Sequence, residues 1–160
     1  MSSSPESISL GSTDYDWWIS ADQIFKSDVE GLEDFARIFK MEFNVEKISK
    51  FKGSRSFDST MAKQSVKIYM GSGVHCAMIQ GRLAKGVVIP KITIKKTTTI
   101  MGKMETLEMQ EFSQCVIMSF SVVGDVVSFP FQYFSCSYTY TEFKEDGSQS
   151  GTAVAEVADT

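Results

Sequence analysis

Residues 87–140 read VVIPKITIKKTTTIMGKMETLEMQEFSQCVIMSFSVVGDVVSFPFQYFSCSYTY. This stretch decides the fold, because apolar and polar side chains alternate along most of it and leave almost no room for a helix. Ile89, Ile92 and Ile94 are separated by polar or small residues. Val116, Met118, Phe120 and Val122 alternate with Ile117, Ser119 and Ser121. After Gly124-Asp125 the pattern resumes at Val127, Phe129, Phe131 and Tyr133. A period of two marks strands with one face on a core. A wall of such strands in a short chain predicts a barrel or sandwich, and points to binding or assembly before catalysis.

On the N-terminal side, Tyr15–Ala21 with Trp17, Trp18 and Ile19 reads as a first strand. Residues 22–36 are acidic and loop-like, broken at Gly31, with a short helical turn over Val29–Phe35. Arg37–Ile48 alternates as one strand, placing Phe39, Met41, Phe43 and Val45 on the core and Ile38 as an exception on the polar side. Residues 49–64 are basic and Ser-rich with no usable period, and read as a long loop of the kind that is usually functional. Val66–Met70 is the next strand. Ser72 is then placed as a helix N-cap, and Val74, Ala77 and Met78 as the helix's apolar face. Lys85-Gly86 ends the helix, with a base in the last turn and Gly just past it. Beyond Phe143, Glu145-Asp146-Gly147 is a turn and the rest is small and polar. The expected organisation is a flexible N-terminus (1–12), one β-barrel domain (13–147) and a flexible tail (148–160).

At 160 residues this is one domain, able to bury a core without staples. The 12 phenylalanines suit a β core. No run approaches the roughly 20 apolar residues of a membrane helix, so no stable membrane insertion is expected. Met1-Ser-Ser-Ser-Pro-Glu lacks the basic and apolar regions of a signal peptide, which predicts a cytoplasmic start and export by another route. The net charge of −4 argues against nucleic acid as a partner. That average conceals three blocks. Residues 1–39 hold eight acids and two bases, 40–103 three acids and thirteen bases, and 104–160 nine acids and one base. Opposite signs on different surfaces of one subunit favour head-to-tail contacts between copies.

The sequence offers little to catalysis. His75 is the only histidine, and its neighbour Cys76 diverges from it by about 100° on a helix. Cys76, Cys115 and Cys136 lack metal or redox spacing. Met70-Gly-Ser-Gly-Val-His-Cys lacks the third glycine of a dinucleotide loop, which would fall at Cys76. Glu105, Glu108 and Glu111 read as solvated charge on an outer face or edge. Lys50, Phe51, Lys52, Arg55 and Phe57 interleave bases with aromatics as a nucleic-acid barrel would, but net acidity opposes that. The expectation is no catalytic residue, no cofactor, no metal and no enzyme.

Taken in order, the elements resemble the haemolysin-coregulated protein (Hcp) family, which forms the tube of type VI secretion systems. Tyr15-Asp-Trp-Trp-Ile-Ser-Ala-Asp is similar to the family's first strand, and Phe39-Lys-Met-Glu-Phe-Asn-Val to its second. The basic segment 49–64 occupies the family's extended loop. Gly73–Gly86 fits the short helix, Ile89-Pro-Lys-Ile-Thr-Ile-Lys-Lys the strand after it, and Leu107–Ser121 and Ser128–Tyr140 the later strands, ending before Asp146-Gly147. The strand that many members carry after that turn has no counterpart in the small, polar Gly151–Thr160. The resemblance implies a small β-barrel of two packed antiparallel sheets with one flanking helix, homohexameric rings stacked into a tube, a spike protein at the tip, a contractile sheath outside and effector cargo within. It also implies release outside the cell. Arg55, Phe57 and Lys63 are then the candidates for ring stacking, and Ser119 and Ser121 for the lumen and cargo. A phage-type tail tube protein is a close variant of this reading. The rivals are a monomeric lipocalin-like barrel with an internal ligand cavity, which the phenylalanines and methionines would line, and thiol chemistry at Cys76.

Overall fold

The computed structural model describes residues 15–43, 47–52, 56–61 and 65–158, and for 47–52, 56–61 and 158 the description is of backbone. Twelve strands and one helix follow in order. They are β1 (Asp16–Ala21), β2 (Ala36–Ile38), β3 (Lys40–Glu42), β4 (Lys47–Lys52), β5 (Ser56–Met61), β6 (Ser65–Gly71), α1 (His75–Lys85), β7 (Ile89–Ile100), β8 (Lys103–Ile117), β9 (Ser121–Val123), β10 (Val126–Gln132), β11 (Ser135–Phe143) and β12 (Gln149–Ala158). The expected flexible residues 1–12 lie outside the described residues.

Ten of these strands form two antiparallel sheets packed around one core, the β-barrel expected from the alternation, and β4 and β5 pair separately. The first runs β2–β1–β7–β8–β11–β12 and the second β3–β6–β10–β9. The end of β8 joins them. Glu108–Ser113 pair with β11 in the first sheet, while Val116 and Ile117 pair with β10 in the second. To serve both, β8 must change which side chains face inward. Gln110 and Phe112 are buried before the change, Cys115 and Ile117 after it. Between them Gln114 takes a left-handed φ of 52°. One irregular residue of this kind shifts the side-chain phase and bends the strand. Met118 consequently faces solvent, 48% exposed, although simple alternation places it inward. Val122 keeps the core-facing side opposite Val127 and is 57% exposed on a short edge strand whose three residues are all exposed.

A second phase shift joins the sheets on the opposite side. Ile38 is buried, Phe39 is 63% exposed, and Met41 and Phe43 again pack against the core. Over 37–43 the expected single strand is therefore two short ones, β2 on β1 and β3 on β6, with the Phe39 amide donating to the Tyr69 carbonyl at 2.8 Å; Lys47 and Ile48 belong to β4, and Val45 lies outside the described residues. Ile38, the exception in the sequence pattern, marks that switch.

Phe112 sits at the centre of the barrel, edge-on to Phe131 (centroids 5.3 Å apart), Tyr133 (5.0 Å) and Phe43 (5.7 Å). Such contacts fill the interior, and edge-to-face geometry suits the charge distribution of the rings. The alternation of Val127, Phe129, Phe131 and Tyr133 toward the core is as the sequence predicts. The two tryptophans diverge. Trp17 packs against the core, while Trp18 lies on the other face of β1, buried under Arg37 (5.1 Å), its Nε1 donating to Thr97 Oγ1 at 3.0 Å.

Two sequence expectations about α1 fail. The cap position falls at Val74 with no side-chain bond, so Ser72 does not cap the helix. The buried side is Ile79 with Cys76 and Leu83, while Val74, Ala77 and Met78 face outward. Both triples satisfy helical spacing, and only the direction of approach to the barrel selects between them. The C-terminus is as expected: Gly86 is left-handed, its amide donating to the Leu83 carbonyl and Val87 to that of Arg82.

Two further corrections concern segments without hydrophobic alternation. The expected loop 49–64 is largely a hairpin, β4 on β5, with Phe51 opposite Phe57. The expected flexible tail 148–160 is instead β12, paired with β11 from Ser135↔Ala158 to Phe143↔Gln149. Its turn is built by Asp146, whose Oδ1 accepts from the Ser148 amide (2.9 Å) and hydroxyl (2.6 Å). Those bonds hold its carboxyl below the usual range. The missing final strand of the sequence reading is thus present. Over Val29–Phe35 the chain makes consecutive turns, Leu32 to Val29 and Phe35 to Leu32, and no helix.

Met101 and Gly102 form the two-residue β7–β8 turn, both with positive φ (54° and 75°). Methionine at the first position costs about 1 kcal/mol that asparagine largely avoids. Met101→Asn, at an exposed site, is expected to stabilise the fold by about 0.5–1 kcal/mol, read from the urea midpoint; an unchanged or lower midpoint contradicts this. Burial pushes the thiols of Cys115 and Cys136 and the Tyr133 phenol up to about 12. The folded state keeps them neutral while the unfolded chain ionises them, so stability is full below the unfolded values and falls as pH rises. The urea midpoint should hold to about pH 8, then decline, first through the unfolded thiols and more steeply above about pH 10 through tyrosine. A midpoint flat to pH 11 contradicts it.

Candidate assembly surfaces

The outward face of the second sheet is assembled by register. Lys40 of β3 lies opposite Tyr69 of β6, Tyr69 opposite Ser128 of β10, and Ser128 opposite Ser121 of β9. The next row is Glu42, Lys67 and Pro130. In an antiparallel pair, opposed residues share a face, so these form one polar wall on the side away from the core residues Ile68, Phe129 and Val127. Tyr69 is its hub. Its hydroxyl donates to Glu42, and the ammonium groups of Lys40 and Lys67 lie 5.1 and 5.2 Å from its ring. The Tyr69 bond, helped by the two lysines, lowers the Glu42 carboxyl below its ordinary value. Alternation alone predicts that Lys40, Glu42, Lys67 and Tyr69 point outward. What it could not supply was the register that brings them together.

Of the residues singled out in the sequence, Ser121 belongs to this wall, and Ser119 is exposed in the link between β8 and β9. Phe57 lies in β5, opposite Phe51. Arg55 and Lys63 lie outside the described residues. The hairpin that carries Phe57 pairs with no other strand among the described residues.

The catalytic candidates are held apart. His75 Nε2 lies 2.9 Å from the Gly71 carbonyl and its ring 5.6 Å from that of Phe25, while the Cys76 sulfur accepts from the Gly73 amide at 3.4 Å. Each engages backbone, and neither engages the other. Among the described residues no cluster of three or more His, Cys, Asp or Glu is arranged to hold a metal ion. Two clefts among the described residues, of about 770 Å³ beside Ile24, Val74 and Met78 and about 710 Å³ beside Tyr15, Thr98 and Tyr140, lie outside the aromatic core.

The expectation that all three central glutamates are solvated fails at Glu105 and Glu108. Glu111, 33% exposed, pairs with Lys91, and Glu105, its side chain 18% exposed, approaches the exposed Lys103. Glu108 shares the core-facing side of the first sheet with Lys96, and the two meet at 2.8 Å with side chains only 15% and 19% exposed. Tyr138 donates to the same carboxylate, while the Tyr15 and Trp17 rings lie 4.1 and 5.5 Å from the Lys96 ammonium. Burial first, and the bond to Glu108 second, push the Tyr138 phenol upward. A partly buried pair of this kind is costly to break singly. Glu108→Gln is expected to cost about 1–3 kcal/mol. The Lys96→Met/Glu108→Met pair is expected to lie nearer the parent in urea denaturation. A neutral single substitution contradicts this.

No protein-family model matches the chain, and no curated protein matches its sequence. Solved structures do match in shape. A type six secretion system protein superposes with a TM-score of 0.76 at 11% identity, over 91% of this chain and 96% of that one. Hcp1 from Salmonella typhimurium gives 0.69 at 13% identity, over 91% and 95%. The secreted protein Hcp3 from Pseudomonas aeruginosa gives 0.57 at 14%, over 89% and 97%. At these identities the likeness is one of fold, and it spans both sheets and the helix. The architecture of this chain is the Hcp fold.

Proposed function

We propose that the chain is a structural tube subunit of a type VI secretion system. Six copies close into a ring, rings stack into a tube, and the tube travels inside a contractile sheath with a spike protein at its tip and effector cargo in its lumen. One observation carries this reading: an Hcp fold over about nine-tenths of the chain, at a TM-score of 0.76. The physical organisation supports it. The barrel interior is filled by aromatic side chains, which disfavours the lipocalin-like alternative. His75 and Cys76 are tied to backbone and apart, which disfavours catalysis. What remains are surfaces: a polar wall, a basic hairpin and acidic strands.

In this reading the wall carrying Lys40, Tyr69 and Ser121 faces the lumen, with Ser119 beside it. A polar wall with both charge signs lets varied cargo pass without adhering. The segment holding Arg55, Phe57 and Lys63 makes the ring-to-ring contact, its basic charge meeting acidic residues of the next ring. In this reading the subunit reaches the outside as part of the tube that the machine expels.

Light scattering after size exclusion, with negative-stain images of the same peak, tests the reading. A ring of hexameric mass is expected. Arg55→Glu is expected to leave the ring intact and strongly reduce stacking into tubes. Unchanged tube formation removes Arg55 from the contact, and a monomer at high concentration removes the tube reading itself.

A further inference from the structure

The first sheet ends on a long strand whose outer edge is unpaired among the described residues. Among the described residues β12 pairs with β11 alone, so the outer backbone edge of Gln149–Ala158 has no neighbour. The sheet's other edge, β2, is only three residues long, as are both edges of the second sheet, β3 and β9. Short edges are one of the usual defences against unwanted pairing, and lysine, proline and bulges on the edge strand are others. The strand β12 has only one of these, a bulge at Ser150 near its start, where Gly151 and Gln149 face Glu142 and Phe143; from Gly151 onward its register is regular. It reads Gln-Ser-Gly-Thr-Ala-Val-Ala-Glu-Val-Ala, with no proline, no lysine and a single charge at Glu156. Its residues 151–156 are exposed, Val154 at 62%. A ten-residue edge so open suits strand addition, in which the main chain supplies the bonds.

The same chain carries a strand suited to fill it. Among the described residues β4 and β5 pair only with each other, which leaves each an outer edge of six residues without a described partner. β4 bears Lys47, Lys50 and Lys52, which protect it. β5, Ser-Phe-Asp-Ser-Thr-Met, has no lysine and no proline. Charge favours the match. Residues 47–63 hold five bases and one acid, while 141–158 hold four acids and one base. We propose that β12 of one subunit is extended by β5 of a second copy, which docks the hairpin on the acidic β11–β12 edge of its neighbour. The contact joins two different edges, so it is head-to-tail and continues from copy to copy until it closes or runs on as a filament. The inference rests on the self-assembly reading above and names the backbone edges through which assembly occurs.

Cross-linking tests it directly. In a Cys76→Ser background, Val154→Cys and Ser59→Cys are made on separate chains of different tag length, mixed, and treated with a short bis-maleimide. The remaining Cys115 and Cys136 are buried. The mixed product is expected to predominate, with both like-with-like products at background. In parallel, Thr152→Lys/Val154→Lys, both at exposed positions, is expected to stay folded by circular dichroism and to lose most of its assembled fraction in sedimentation. If rings form, the mixed product is absent and the lysine variant assembles normally, the edge proposal is overturned while the tube reading stands. If the parent chain neither assembles nor cross-links, both fall. An edge occupied by residues 1–14 or by another protein also leaves the mixed product absent, and so counts against it.

Discussion

A two-sheet barrel closes only if some strands serve both sheets, and a strand that does so must exchange its inward and outward side chains partway along. The rest of this structure depends on that exchange. In β8 it occurs at Gln114, left-handed at φ 52°. It lets Phe112 and Cys115 both point inward although they stand an odd number of positions apart. On the opposite side it occurs at Phe39, between Ile38 and Met41. Without these two irregular positions the same apolar residues would line one flat sheet, half of them in water. With them, Phe43, Phe112, Phe131 and Tyr133 meet in a single aromatic core.

Closure also determines what is left for function. A filled barrel has no interior to offer a ligand, so its chemistry is confined to outward faces and edges. The second sheet presents the wall organised around Tyr69, whose ring and hydroxyl hold two lysines and a glutamate in one cluster. The first sheet extends further, to β12. The hairpin of β4 and β5 pairs with neither sheet among the described residues. On the proposed reading, the polar wall, and the basic hairpin and acidic edge that have no other partner among the described residues, serve contacts with other copies. The Hcp fold places that organisation in a known architectural setting.

Much of this was legible from residue pattern where apolar side chains alternate over a full strand. Val127, Phe129, Phe131 and Tyr133 lie inward as the period demands, and Gly86 ends α1 as its position demands. The pattern was misleading at the phase shifts, because a bulge moves every later residue to the other face. Met118 is exposed for that reason, and Ile38 looked anomalous for the same one, whereas Val122 keeps its predicted face and is exposed because its strand is a short edge. In α1 two stripes satisfy helical spacing, and the choice of Ile79 over Val74 and Met78 depends on where the barrel lies, which is not a local property. β12 was illegible because its residues are small. Its pairing comes from the backbone and from the Asp146–Ser148 turn, and it needs no apolar face. Of the candidate site residues, Ser121 joins the polar wall through register with Ser128 and Tyr69. That relation requires knowing which strands are neighbours, and no local period reveals it.

The central claim is that this subunit exists to assemble with itself around a lumen. Single-particle electron microscopy of the purified chain at high concentration tests it most directly. The account predicts closed rings whose central opening is lined by the sheet carrying Lys40, Lys67, Tyr69 and Ser121. Isolated monomers, or rings with that sheet turned to the outside, would contradict it.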